Sequence, residues 1–158
     1  MQFIDENIID EIAVELGTSE SSRAAAVNAL RAEQPVLLAY LFSENFDAFL
    51  DREREYLLFL VLVIVESAKA KAQQALPLIS EDVLGEAEET NWSTIQTVSA
   101  KRFRERLDIF FNNTNQEDLL AFVEDALIDE EDGLLSKEGR EPIFIVLKSI
   151  IDALNRAQ

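Results

Sequence analysis

Residues 57 to 65 read Leu-Leu-Phe-Leu-Val-Leu-Val-Ile-Val, an apolar run without a polar break. Such a run suits a buried strand or a stretch of buried helix, and its periodicity does not separate the two. The flanks do. Asp51-Arg52-Glu53-Arg54-Glu55 precede it, and Glu66-Ser67-Ala68-Lys69-Ala70-Lys71-Ala72-Gln73-Gln74-Ala75 follow it. Both are rich in helix formers and free of Gly and Pro. The sequence therefore predicts one helix over about 51–75, apolar all round in its middle and so enclosed by other helices. The run is too short to cross a bilayer, which takes about 20 apolar residues. Asp51 is placed to cap this helix. Glu53 and Glu55 suit its positive end, and Lys69 and Lys71 its negative end.

The rest of the chain reads as further helices. Ile4, Ile8, Ile12 and Leu16 recur every four residues and predict a helix over about 2–16, stopped by Gly17. A second helix starts near Thr18–Ser21 and ends before Pro35, which opens a third. That third helix either breaks at Ser43 or continues through Phe46 and Phe49. Leu76-Pro77-Leu78-Ile79 reads as a turn, and Ser80 opens a short helix to about Glu89. Asn91-Trp92-Ser93 reads as a boundary, with Trp92 as a plug over the core and Ser93 capping a helix over about 94–111. After the polar loop at 112–115 comes a helix over about 116–129. The last helix is expected to begin near Arg140 or Glu141. Its apolar face is Ile143, Phe144, Leu147, Ile150, Ile151 and Leu154. The expectation is one all-α domain over 1–158, a bundle of about six or seven helices around the buried helix at about 51–75.

Composition narrows function. The formal net charge is −17, which sets most of the surface against phosphate backbones and favours cationic partners. No nucleic acid and no membrane is expected as a partner. The chain has no His and no Cys. That removes Ser–His–Asp triads, thiol nucleophiles, ordinary zinc sites and His-containing di-iron sites. With no disulfide framework, and no basic segment followed by an apolar one near Phe3-Ile4-Asp5-Glu6, a cytoplasmic location is the default. Catalysis would rest on carboxylates, with Mg²⁺ or Mn²⁺.

Three constellations qualify as candidate sites. Phe42, Phe46 and Phe49 are spaced by four and three and would share a helix face. That stripe is read as core first, with a partner groove or a pocket for a small apolar ligand as the functional alternatives. Lys101, Arg102, Arg104 and Arg106 form the one basic cluster, which suits an anion. Lys101–Glu105 and Arg104–Asp108 offer i,i+4 pairings that would make it a solvated face instead. Glu86-x-x-Glu89 and Glu105-x-x-Asp108 are two carboxylate pairs, each on one helix face. This spacing is similar to that of the all-α MazG-type nucleotide pyrophosphohydrolases. The resemblance implies Mg²⁺ held by Glu86, Glu89, Glu105 and Asp108 against a substrate phosphate. Gly85 and Asn91-Trp92-Ser93 put the first pair at a weak helix end. An EF-hand loop built on Gly133 fails on its spacing, because Ile128 and Gly139 then fall where acidic ligands are needed.

No cofactor is expected outside the Mg²⁺ alternative. The leading reading is a non-catalytic helical interaction or assembly domain with a protein partner, a homodimer being one form. The Mg²⁺-dependent pyrophosphohydrolase and the apolar-ligand carrier are the alternatives.

Overall fold

A computed structural model describes residues 1–128 and 135–157. The described residues form eight α-helices and no strand: α1 (Glu6–Thr18), α2 (Glu20–Glu33), α3 (Pro35–Leu41), α4 (Asp51–Ala72), α5 (Glu81–Gln96), α6 (Phe103–Phe111), α7 (Glu117–Ile128) and α8 (Lys137–Arg156). A 3-10 turn at Glu44–Phe46 separates α3 from α4. Buried apolar residues from all eight helices belong to one core. No helix among the described residues is long and apolar enough to cross a membrane.

The apolar run becomes helix as its flanks require, and Leu60 to Val65 are all buried. Burial along α4 is uneven, because Asp51, Arg52, Arg54 and Glu55 at its start are exposed. α8 buries more of its residues than α4 does and packs against α4, α5 and α7. α1 lies on α4, between α2 and α7. Asp51 is the first helical residue of α4, not its cap. Leu50 holds the cap position, and its N–H is taken by the Glu53 carboxylate at 3.1 Å. At the other end Gln73 turns left-handed (φ 54°) and closes the helix before the expected Ala75.

Several helix ends differ from the sequence reading. Residues 1–4 are not helical. Ile4 is fully buried, and its N–H is taken at 3.1 Å by Oε1 of Gln116, whose amide also donates to the Gln2 carbonyl at 2.9 Å. A side chain from far down the chain thus holds the N-terminus outside the helix. Gly17 does not stop α1, which continues to Thr18. Ser19 caps the end of α1 and the start of α2, accepting the Ser22 N–H. Gln34 is buried at the α2–α3 junction, donating to Pro77 O at 2.9 Å and accepting from Ile79 N at 3.0 Å. It pins the turn ahead of α5.

The largest difference lies at Asn91-Trp92-Ser93, which is no boundary, so Ser93 caps nothing. α5 runs straight through it to Gln96. Thr90 and Thr94 return their hydroxyls to carbonyls four residues back, each at 2.8 Å. Asn91 turns inward and donates to Ser149 Oγ at 3.1 Å and Asp152 Oδ2 at 3.0 Å. Polar side chains that find partners this way need not end a helix. Trp92 is partly buried against the core. The break falls instead between Gln96 and Phe103, so the single helix expected over 94–111 does not form. α8 starts at Lys137, ahead of the expected Arg140. Ser136 caps it by accepting the Gly139 N–H at 3.1 Å, and the helix absorbs Pro142.

Candidate functional site

The carboxylate pairs sit on well-formed helix. Glu86 and Glu89 lie within α5, not at a weak end, and Glu105 and Asp108 lie on α6. All four are exposed. Glu105 faces Arg102 at 3.8 Å and Glu86 faces Arg156 at 3.9 Å. Among the described residues no three acidic side chains converge to hold a metal ion. The structure therefore does not gather Glu86, Glu89, Glu105 and Asp108 into one centre. Mg²⁺ at matched ionic strength is expected to shift the melting temperatures of wild type and Glu105→Gln/Asp108→Asn equally, by general screening. A shift present in wild type and lost in the variant would restore the metal site; a bound ion at 100 times its Kd gives about 2.7 kcal/mol. The EF-hand reading at Gly133 falls among residues 129–134, outside the described residues.

Two members of the basic cluster, Arg104 and Arg106, are committed to carboxylates on other helices of the chain, not to those their spacing suggested. Lys101 precedes α6, so it has no helical i,i+4 relation to Glu105. Arg104 reaches across to α7, meeting Glu124 at 2.8 Å and Asp125 at 3.3 Å. Arg106 grips Glu141 of α8 through Nε (2.8 Å) and one terminal nitrogen (3.1 Å). Its other terminal nitrogen donates to the carbonyls of Val98 (3.1 Å) and Ala100 (2.8 Å). Arg106 thus orders the α5–α6 connection. Lys101 and Arg102 remain exposed.

Burial holds the Glu124 carboxyl above its ordinary value; Arg104 pulls it down, and Asp125 and Asp108 push it up. A carboxyl raised by folding costs stability when ionised. That cost is present at neutral pH and is relieved as pH falls through the folded value. Glu124→Gln is expected to melt above wild type at pH 7, with the gap closing as the pH falls to about 4. A gap that widens on acidification would contradict this.

Several buried polar groups pair across helices. Lys148 donates to Asp152, which also receives Asn91, and lies over the Phe110 ring at 5.9 Å. Burial raises the Tyr40 phenol, and its hydrogen bond to the Glu88 carboxylate and that group's charge raise it further.

The phenylalanine stripe divides. α3 ends at Leu41 and a 3-10 turn follows, so the helical period is not carried from Phe42 to Phe49. Phe46 is buried, its ring meeting Tyr40 edge-on at 5.1 Å and Phe49 at 5.8 Å. Phe49 is half-buried against the core. Phe42 is 73 % exposed, and no other large hydrophobic residue among those described is more so.

Phe42 borders an apolar recess of about 300 Å³, open to solvent, whose other walls are Leu41, Ser43, Phe46 and the start of α4 from Asp51 to Leu58. Ser43 Oγ is buried there without a hydrogen-bond partner among the described residues. Asp51 and Glu55 of its lining are exposed, and exposed Asp47 stands beside it, facing Arg54. Arg54 is already engaged by Asp51 and, at 3.9 Å, by Asp47. The sequence pointed to Phe42 but not to the α4 wall, because Leu58, partly exposed there, is indistinguishable in sequence from the buried apolar residues around it.

No known protein family, curated protein or solved structure matches this chain. The class that fold and site define is therefore an all-α helical protein with an acid-rimmed apolar recess at the α3–α4 corner.

Proposed function

We propose that this protein is a non-catalytic, cytoplasmic helical module that acts by protein–protein contact at the α3–α4 corner. The observation that carries the reading is Phe42, largely exposed at the edge of an apolar recess. An aromatic side chain left in water forgoes roughly 1.5–3 kcal/mol of burial, and a partner can recover it. Apolar surface beside a polar rim is the usual form of such sites. In this reading α4 is the central helix of the bundle and supplies the more rigid wall of the recess. An apolar-ligand carrier has less support, since the recess is open where a carrier encloses its cargo.

The test compares capture from cell extract by wild type, by Phe42→Asp and by Val14→Asp, a second exposed apolar position. Both variants are expected to melt like wild type. A captured protein is expected to be lost with Phe42→Asp and retained with Val14→Asp. Equal capture by all three would end the reading.

A further inference from the structure

We infer that the recess takes a cationic, amphipathic segment of another protein, which seats one large apolar side chain against Phe42 and Leu58. This rests on the interaction reading above and adds the chemistry of the partner.

At about 300 Å³ the recess lies at the small end of ligand pockets, with room for a side chain more than for a cofactor. Its floor is Leu41, Phe46, Leu57 and Leu58. Its lining carries exposed Asp51 and Glu55, with Asp47 beside it; Arg54 pairs with Asp47 and Asp51, which leaves the three carboxylates in excess over one cation and Glu55 outside those pairs. The charge around the recess has the sign of the whole chain, −17.

Charge weighs against the competing occupants in turn. A second copy would pair through a two-fold axis, setting the same acidic rim against itself. Those charges would meet well within the Debye length of about 8 Å at physiological salt. Anionic lipid surfaces and phosphate backbones are repelled for the same reason. A segment with Lys or Arg flanking an apolar residue meets both needs: the rim pairs with its cations and the floor with its side chain. The helix-in-groove mode has this pattern.

The experiment measures anisotropy of three labelled synthetic peptides: Leu and Lys at amphipathic-helix spacing, the same Leu face with Glu, and the same Lys face with Gln for Leu. Each is titrated with wild type, Phe42→Asp, Asp47→Asn/Glu55→Gln, and the distant Glu11→Gln/Glu81→Gln. Melting temperatures check that every variant is folded. The Leu/Lys peptide is expected to bind wild type. Phe42→Asp is expected to weaken it at least tenfold, although that variant is more acidic. Asp47→Asn/Glu55→Gln should weaken binding more than the charge-matched distant pair does.

If Phe42→Asp binds the Leu/Lys peptide as tightly as wild type, the attraction is bulk charge and the proposal falls. If the Leu/Glu peptide binds equally well, or wild type self-associates through Phe42 in sedimentation while no peptide binds, the cationic partner is wrong and the interaction surface stands. If no peptide separates wild type from Phe42→Asp and capture does not either, both readings fall.

Discussion

Phe144→Ala is expected to lower folding stability by about 3–5 kcal/mol, and the melting temperature by roughly 10 °C for a chain of this size. Phe144 is fully buried near the start of α8. Its ring meets Phe103 edge-on at 6.4 Å and Phe110 at 5.3 Å, and both of those residues lie on α6. One turn earlier on α8, Glu141 holds Arg106 of α6. Phe144 is thus the apolar half of the α6–α8 contact, and truncation leaves a cavity that two rings from one short helix cannot fill. Equilibrium unfolding in urea measures the loss. The informative control is Phe42→Ala, the same change at an exposed position, expected to cost less than about 0.5 kcal/mol. Comparable losses at the two positions would mean that Phe42 belongs to the core and would remove the basis for a docking site. A wide separation assigns one aromatic to folding and leaves the other without a folding role.

The helical class was legible because apolar periodicity and the scarcity of Gly and Pro are local signals. The run from Leu60 to Val65 and the face of α8 from Ile143 to Leu154 are buried as their spacing implies, whereas Ile8 and Ile12 of the expected α1 face are only partly buried and Ile9 takes the buried place. At two of the places where the reading failed, a distant partner decided the outcome. Asn91 stays helical because Ser149 and Asp152 receive it, and residues 1–4 stay out of α1 because Gln116 holds Ile4. The same limit applies to the charges. Arg104 and Arg106 were readable as ion-paired, but their partners Glu124, Asp125 and Glu141 come from other helices, where i,i+4 arithmetic does not reach. At the candidate site, the division of the Phe stripe depended on one helix end. With α3 closing at Leu41, Phe46 turns inward and Phe42 does not.

Gly139→Ala is expected to destabilise the protein by about 2 kcal/mol, reversing the gain of up to about 1 kcal/mol that Ala gives over Gly inside an ordinary helix. A methyl group at Gly139 would overlap the Glu53 carboxylate and lie 3.1 Å from Ser136 Oγ. Glu53 is buried and its oxygens are fully engaged. Oε1 accepts the Leu50 N–H at 3.1 Å, and Oε2 accepts Ser136 Oγ at 3.0 Å and Ser136 N at 3.3 Å. One carboxylate thus joins the N-terminal ends of α4 and α8, where helix dipoles favour a negative charge. Displacing it forfeits hydrogen bonds to an ionised group, worth about 1.5–3 kcal/mol each. In a Glu53→Ala background the overlap is gone, and Gly139→Ala is expected to be neutral or stabilising. A double-mutant cycle in urea should then show a coupling of about 2–3 kcal/mol. Additive effects would mean that the carboxylate swings aside without cost and that the two helix starts are independent. Coupling would reach the recess as well, because Asp51, Arg54 and Glu55 of its wall stand on the turn of α4 that Glu53 anchors. Glu53 would then be the residue that keeps the recess in shape without lining it.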